Sequence, residues 1–405
     1  MPTAAKQAPR VLYISYDGML EPLGRSQVLA YLKPLASTHH ICLLSFEKAN
    51  DWADHSARDR LIEEIRGTGI VWRPLRYHKT PSALATSYDL AVGAVVGTWL
   101  VLRHRLNIVH ARSYVPSVIA LMLKRLTGVK YIFDMRGFWA DERVDGGLWA
   151  SGGTMYRVAK WFERRFFLAA DHVISLTHAG VDEIRKFEFL REKMPPFTVI
   201  PTCADLRLFV PANVGRTRTP FVLGHVGSAG TWYLFREAVR CFVRLRGLRP
   251  DARFLIVNRG EHDFIRQQLA AENVPMSAVE LTSAQHEDIP AHMARMHAGI
   301  FFIKPVFSKQ ASAPTKLAEF LGCGIPCIGN TGIGDMATVL EGEAVGVALS
   351  SFDEAAVTAG LVSLLALTEQ ADTSSRCVAA AHKHFSLDEG VRRYDRVYRE
   401  LGGEA

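Results

Sequence analysis

The chain has 405 residues, 48% of them hydrophobic, and a formal net charge of +7. That length and apolar share suit two domains of roughly 150–200 residues, each with its own core, and exclude a disordered or fibrous chain. The positive charge is dispersed, so it fits either a plain basic soluble protein or one that meets phosphates or an anionic membrane surface; no recognition motif accompanies it, and nucleic acid is not an expected partner.

Met1 to Arg10 lacks the apolar core of a secretory leader, which points to a cytoplasmic protein. Strands are expected at Val11–Ser15, Ile41–Phe46, Ile108–Ala111, Tyr131–Asp134, Val173–Leu176 and Thr198–Ile200, several of them near-continuous apolar runs as in parallel sheets covered on both faces. Amphipathic helices are expected between them at Ser26–Ala36, Val115–Thr127 and Met155–Ala169. The longest apolar run, Leu90 to Leu102, ends in Arg103-His104-Arg105. It is shorter than the roughly 20 residues that span a bilayer, so it reads as a core helix, with a membrane-touching surface as the alternative. A polar, proline-bounded stretch at 211–220 reads as a linker.

Beyond the linker the alternation restarts. Strands are expected at Phe221–Val226, Arg253–Val257, Val279–Leu281, Gly299–Ile303, Pro326–Ile328 and Val345–Leu349, with helices at Tyr233–Leu248, Asp263–Glu272, Pro314–Gly322 and Glu354–Thr368. The division is therefore a first domain 1–210, a linker 211–220, a second domain 221–385 and a closing helix in 386–405 that can pack back on the first domain. Two βα series in tandem imply an α/β protein of two doubly wound, Rossmann-like domains, with ligands beyond the carboxyl ends of the strands and a cleft between the facing sheets. The six cysteines lie in or beside apolar runs and read as buried free thiols; Cys323 and Cys327 lack the second ligand pair a zinc site needs.

No dinucleotide fingerprint or P-loop follows the first strand. Instead a loop from Tyr16 through Asp17, Gly18 and Gly24 leads to a helix start near Ser26, where free N–H groups suit either a phosphate or simple turn geometry. The first strand of the second domain runs into Gly227-Ser228-Ala229-Gly230, glycines that permit close ligand approach or a tight turn. The densest segment is Lys304 to Asn330. There Ser312 is placed as an N-cap, Pro314 in the first turn, and Thr315, Lys316 and Glu319 on the opening helical turns. Lys316 and Glu319 share a face, as an intrahelical ion pair or as a diphosphate and ribose site. At the strand ends of the first domain stand His110 and Arg112, then Asp134, Arg136, Trp139 and Glu142; aromatics among charges suit a sugar or pyrophosphate, and an Asp–Arg network tying loops together is the alternative.

The run Pro314-Thr315-Lys316-Leu317-Ala318-Glu319-Phe320-Leu321-Gly322-Cys323-Gly324-Ile325-Pro326 resembles the donor-site helix of GT-B glycosyltransferases similar to glycosyltransferase family 4 (group 1). Val199–Asp205, Val226-Gly227-Ser228 and His110 match the same pattern, and the likeness spans nearly the whole chain. The resemblance implies that Glu319 holds the nucleotide ribose, that Lys316 and the Ser312–Thr315 amides hold the diphosphate, that Gly24 lies near diphosphate and acceptor, and that His110 contacts the transferred sugar. The chain departs from the family where Ala311 replaces the first glutamate and where the usual basic pair is absent from Gly227–Thr231; Lys304, Lys309 or Arg259 are candidates to restore the charge.

What the resemblance implies is transfer, with retention, of a sugar from a nucleoside-diphosphate sugar to a hydroxyl of a saccharide or lipid-linked acceptor, in polysaccharide or glycolipid assembly. His110, Lys316 and Glu319 are the expected catalytic group; Gly24, Gly227, Ser228, Gly230, Lys304, Ser312, Pro314 and Thr315 join them on the donor; Asp17, Arg112, Asp134, Arg136, Trp139 and Glu142 form the acceptor side. No D-x-D motif calls for a metal, and no cofactor is expected. The rival readings are a GT-B sugar-nucleotide epimerase and a non-catalytic sugar-nucleotide-binding protein. An anionic membrane surface is a candidate partner, which would make the protein peripheral on the inner face of the membrane.

Overall fold

The computed structural model describes residues 8–80, 82–212 and 219–403. The chain divides into two compact units, residues 1–200 with 387–405 and residues 201–386. The second unit thus begins at Pro201, ahead of the expected linker, of which residues 213–218 lie outside the described residues; so does the start of the chain through residue 7.

The first unit holds a parallel sheet of β1 (Arg10–Ser15), β2 (His40–Glu47), β3 (Val71–Arg76), β4 (Ile108–Arg112), β5 (Lys130–Asp134), β6 (His172–Ser175) and β7 (Phe197–Val199), in the order β3-β2-β1-β4-β5-β6-β7. The inner strands are continuous apolar runs because helices cover both sheet faces. β3 was not expected. It reads Trp72-Arg73-Pro74-Leu75-Arg76 after Val71, and it is an edge strand, half-buried, where a proline and outward arginines are tolerated.

Helices Ser82–His104, Tyr114–Thr127 and Thr154–Ala169 lie side by side on one face. Gly93 lies against Phe46 and Ile119, and Gly97 against Leu12 and Leu123, so missing side chains let the first of these helices close on both the sheet and its neighbour. Tyr114 packs against Phe133 of β5 and Phe166 of the third helix, with ring centroids 5.6 and 5.8 Å apart. The opposite face takes the last helix, Leu387–Gly402, whose Tyr394 meets Tyr31 edge-on and whose Arg393 donates to the Val199 carbonyl.

The helix around Leu90–Leu102 is longer than its apolar run suggests. Its segment Leu84–His104, 21 residues of mean hydropathy 1.4, is long and apolar enough to cross a membrane. Its inner side is nevertheless committed to the unit. Leu100 and Val101 are buried, and the enclosed Asp89 carboxylate accepts from the Tyr16 hydroxyl at 2.8 Å and the His78 N–H at 3.1 Å. Crossing a bilayer would strip this packing and carry Asp89 into hydrocarbon.

The second unit holds β8 (Val222–Val226), β9 (Arg253–Val257), β10 (Val279–Thr282), β11 (Ala298–Ile300), β12 (Cys327–Asn330) and β13 (Gly346–Leu349), all parallel in the order β10-β9-β8-β11-β12-β13. Phe235, Phe242 and Phe254 fill the layer on one side of this sheet; Met293, Met296, Phe301 and Phe320 fill the other. All six cysteines are buried. In each sheet the strand order reverses once, between β1 and β4 and between β8 and β11, and the loops at those switch points are where a doubly wound unit receives its ligand.

Two glycines test the packing in opposite directions. Gly24 closes the short helix Pro22–Gly24, and a Cβ there would fall on the Gly18 carbonyl and the Met19 backbone. Gly247 lies within helix Phe235–Leu248 with nothing near its absent Cβ. Gly24→Ala should destabilise the protein by about 1–3 kcal/mol, as overpacking against backbone does, whereas Gly247→Ala should stabilise it by about 0.4–1 kcal/mol. Urea titrations of both variants check the pair; equal and opposite signs from those stated would mean that neither backbone environment is as described.

Candidate functional site

In the second unit the site is built on the switch point of β8 and β11. Gly227 leaves β8 with φ +86°, and the turn that follows is stitched to the β11 segment: Leu234 N–H donates to Phe302 and Lys304 N–H to Trp232. Helix Thr315–Gly322 then brings Lys316 beneath the turn. Its ammonium donates to the Ser228 carbonyl at 2.9 Å and stands 3.6 Å from the Tyr233 ring centroid. His225 Nε2 lies 3.1 Å from the same carbonyl. Lys316 is buried: the helix turns it inward because Leu317 and Phe320 occupy the core-facing positions beside it.

Burial pulls the Lys316 ammonium down to about 7, with Glu319 and Glu261 opposing the shift only in part. Burial likewise pushes the Glu319 carboxyl up to about 7, against the pull of Lys316. Both groups therefore sit near the midpoint of their titrations at neutral pH. Perturbed acid and base groups facing a loop at a switch point mark a candidate site.

Glu261 was missed by sequence reasoning. Its carboxylate accepts the N–H groups of Ala229 and Gly230 at 2.9 and 2.8 Å and is clamped by the Asn258 amide at 2.8 Å. The Gly230 amide, expected to meet the donor, is thus held by the protein's own anion. The available signal was topological, since Glu261 follows β9, the neighbour of β8.

The remaining donor-side residues fall around this core. Ser312 is not the helix cap: it ends the 3-10 turn Phe307–Ala311, and Pro314 occupies the N-cap with extended ψ, because the residues before a proline resist helical geometry. Thr315 opens the helix. Ala311 is fully enclosed and presents nothing to a ligand. Lys309 is buried over the Trp232 ring at 3.8 Å, while Lys304 and Arg259 are exposed.

In the first unit the switch point of β1 and β4 gathers Asp17, Arg112, Asp134 and Arg136. Arg112 Nη1 donates to Asp17 Oδ2 at 2.9 Å, and its Nε is buried with no hydrogen-bond partner among the described residues. Arg136 lies 4.0 Å from Asp134. Burial opposes the Asp134 charge, but Arg136, the His110 hydrogen bond and Arg112 outweigh it and hold the carboxyl below its usual value. Ser113 and Arg136, just beyond β4 and β5, both adopt positive φ, 73° and 54°, a strained geometry for residues with side chains.

His110 does not stand at a strand end. It is the middle residue of β4, fully buried, with Nδ1 2.7 Å from the Tyr398 hydroxyl, Nε2 3.4 Å from Asp134 and its ring 4.3 Å from that of Tyr13. Tyr394 donates to Asp134 at 2.9 Å. The expected sugar contact is corrected by this enclosure: His110 secures the last helix. Burial outweighs the attraction of Asp134 and lowers the affinity of His110 for a proton. Trp139 packs with Tyr114 and Trp149 beneath Arg143, and Glu142 shares its short helix with Asp141, which is bonded to Tyr156 and Lys160. Gly24 is held against Gly18 as described above.

Elsewhere His40, Cys42 and His104 bring ligand atoms within 4.8 Å of one another. Burial first, and then charge that includes Arg10, lower the proton affinity of both histidines, and the surrounding positive charge disfavours a divalent cation there.

Residues 25–203 match the family model described as a glycosyl transferase 4-like domain. No curated protein matches the chain significantly. Among solved structures, the chain is similar to sucrose-phosphate synthase from Thermosynechococcus elongatus, at 15% identity and TM-score 0.72 over 98% of this chain and 100% of that one. The Anabaena protein Alr3699/HepE in complex with UDP-glucose aligns at 14% identity and TM-score 0.66 over 98% and 100%. A putative UDP-N-acetylglucosamine 2-epimerase from Listeria monocytogenes aligns at 12% and TM-score 0.58 over 98% of each chain. At these identities the likeness establishes the fold: two Rossmann-like units of the GT-B class.

The buried histidines set an acid limit. Burial lowers His225 to about 3 and His172 to about 4, against 6.5 for the free side chain. A depressed folded-state value means the unfolded chain takes up protons first, so stability is complete above pH 6.5 and is lost as pH falls through 4 and 3. The thermal midpoint should decline over that range, and His225→Gln, which keeps a donor for the Ile300 carbonyl, should flatten the decline. An unchanged acid limb in that variant would show that His225 is not held neutral.

Proposed function

We propose that this protein transfers a sugar from a nucleoside-diphosphate sugar to a hydroxyl acceptor, with retention, and that the second unit holds the donor. The observation that carries this reading is the buried Lys316, set at the start of helix Thr315–Gly322 beside the Gly227–Gly230 turn. The first turn of that helix offers free N–H groups and a positive dipole end, and Lys316 adds a cation one residue later. Glu319, one turn on and half-buried, suits the ribose hydroxyls. Cleavage of the sugar–phosphate bond leaves its electron pair on the diphosphate, and pre-positioned positive groups stabilise that charge as it develops.

The first unit supplies the acceptor side in this reading. Asp17, Arg112, Asp134 and Arg136 are oriented by their mutual ion pairs, and the strained backbone at Ser113 and Arg136 is kept where a binding edge requires it. Retention, and an acceptor that is a saccharide or is lipid-linked, rest on the glycosyl transferase 4-like domain and the donor-helix pattern. An epimerase would instead convert the donor with no acceptor present.

The decisive measurement pairs a transfer assay with calorimetry across nucleoside diphosphates. A bound diphosphate should raise the proton affinity of Lys316, so proton uptake on binding should be about half a proton at pH 7 and rise toward one at pH 8, read from the enthalpy in buffers of different ionisation heat. Lys316→Met keeps the stem packed on Tyr233, and should remove the proton uptake and weaken affinity by about ten- to a hundredfold, the loss of a charge-assisted contact of about 1.5–3 kcal/mol. Wild-type affinity in that variant defeats the reading.

Glu319 gives a second check. Glu319→Gln should weaken nucleoside diphosphate binding more than inorganic diphosphate binding. Equal losses for the two ligands would assign Glu319 to the helix rather than to the ribose.

A further inference from the structure

Helices Ser82–His104, Tyr114–Thr127 and Thr154–Ala169 form one continuous side of the first unit, and their outward residues share an unusual composition. Among 53 residues the three helices contain only two acidic side chains, Asp89 and Glu163. Each is only 1% exposed. The outward face therefore carries no negative charge of its own. Its cations are Arg103, Lys124, Arg125, Arg157, Arg164 and Arg165.

Large apolar side chains stand between these cations. Val95, Trp99 and Leu102 recur at helical spacing along the outer stripe of the first helix, with Val95 71% and Leu102 66% exposed. The second helix adds Met122 and Leu126, the latter 70% exposed; the third adds Met155, Val158 and Trp161. Arg165 lies flat over the Trp161 ring, 3.2 Å from its centroid. Between the second and third helices runs a groove of about 400 Å³, lined by Leu121, Leu168 and Ala169 and edged by Lys124, Arg125 and Arg165. The nearest acid at its end, Asp171, is bonded to Lys124 and lies against Lys130.

This contrasts with the other side of the same unit. Helix Leu387–Gly402 carries Asp388, Glu389, Asp395 and Glu400 among its arginines, and helix His55–Arg66 carries Asp59, Glu63 and Glu64. Mixed charge is the ordinary way to keep a helix face in water. An acid-free surface with apolar and basic residues interleaved matches one environment, the headgroup region of an anionic bilayer, where apolar side chains enter the acyl boundary and Lys and Arg meet lipid phosphates.

We propose that this three-helix face docks on anionic lipid, with helix Ser82–His104 lying in the plane of the membrane rather than crossing it. The packing of Asp89, Leu100 and Val101 inside the unit holds the helix in that attitude. The groove between the other two helices is shaped to take a lipid phosphate at its basic edge, with an acyl segment on Leu121 and Leu168. This surface is independent of the donor reading, since none of these residues contributes to the Lys316 site.

Flotation of the full-length chain with vesicles of phosphatidylcholine, with and without phosphatidylglycerol, tests the proposal. The protein should float with the mixed vesicles at low salt, and binding should fall at least tenfold at high salt, as screening requires. The charge reversals Arg125→Glu and Arg165→Glu together should reduce binding at least tenfold, and Leu126→Ser should reduce it separately; an unchanged circular dichroism melt confirms that each variant is folded. Arg244→Glu in the second unit should bind as wild type. Equal binding to neutral vesicles, no effect of the double reversal, or resistance to alkaline carbonate extraction, which marks a crossing helix, would each overturn it. So would a concentration-dependent dimer abolished by Leu126→Ser, which would show that a second copy covers the face.

Discussion

A buried carboxylate needs partners, and the partners of Asp134 determine how the chain ends. Asp134 lies at the end of β5, fully enclosed, and takes hydrogen bonds from His110 on β4 and from Tyr394 on the last helix; Tyr398, one turn further along that helix, bonds the other side of the His110 ring. Only with that helix in place are these groups sealed from water with Asp134 Oδ2 and both His110 nitrogens bonded, while Asp134 Oδ1 has no hydrogen-bond partner among the described residues and is met only by the charge of Arg136 at 4.0 Å. Leaving any of them unmatched in the interior costs more than the bond itself contributes. The constraint explains why residues 387–403, reached only after the whole second unit, belong to the first. It also fixes Arg136 by charge, since the ion pair draws its guanidinium to Asp134 while its backbone is held at positive φ.

The second unit meets the same problem with opposite sign. Lys316 is a cation placed where water is scarce, and it is offset not by a tight ion pair but by one carbonyl, one aromatic face and two carboxylates at longer range. Such a group is poised rather than satisfied. An anion arriving nearby gains more from it than from an exposed lysine already hydrated or already paired. Glu261 shows how readily this turn accepts negative charge, for its carboxylate already occupies two of the amides. A ligand anion at this turn would have the remaining amides, the helix start and Lys316.

What was legible in the sequence follows from the range of each signal. Twelve of the thirteen strands among the described residues were visible as short apolar runs, because parallel strands buried on both faces read continuously. β3 was not, since Arg73, Pro74 and Arg76 break the run and only its place at the sheet edge permits them. The helix near Ser26 was expected as one piece; it is interrupted by a π segment, Arg25–Leu29, where Ala30 bonds back five residues to Arg25, a local shift that composition does not announce. Within the site, the helix carrying Lys316 and Glu319 was evident from its glycines and prolines. The burial of Lys316, the Glu261 clamp and the enclosure of His110 were not, because each depends on a partner 32 or more residues away: Ser228, Ala229 and Tyr398 lie 88, 32 and 288 positions from the residues they bond.

The strained edge and the acid-free face of the first unit are joined by a single element. Helix Tyr114–Thr127 begins directly after Ser113, whose positive φ turns the chain out of β4 beside Arg112, and it ends at Lys124 and Arg125 on the basic edge of the groove. At 14 residues it is roughly 21 Å long, at 1.5 Å per residue. Its inner side is locked by Ile119, Ala120 and Leu123, so it is a strut rather than a loose arm. With the three-helix face laid on lipid, such a strut runs along the surface, so its length sets how far the β4 end stands from the basic groove along the membrane and not a height above it. Any tilt of that face would therefore be passed on rigidly to Ser113 and Arg112, because the inner side of the helix leaves it no freedom to move separately from the sheet.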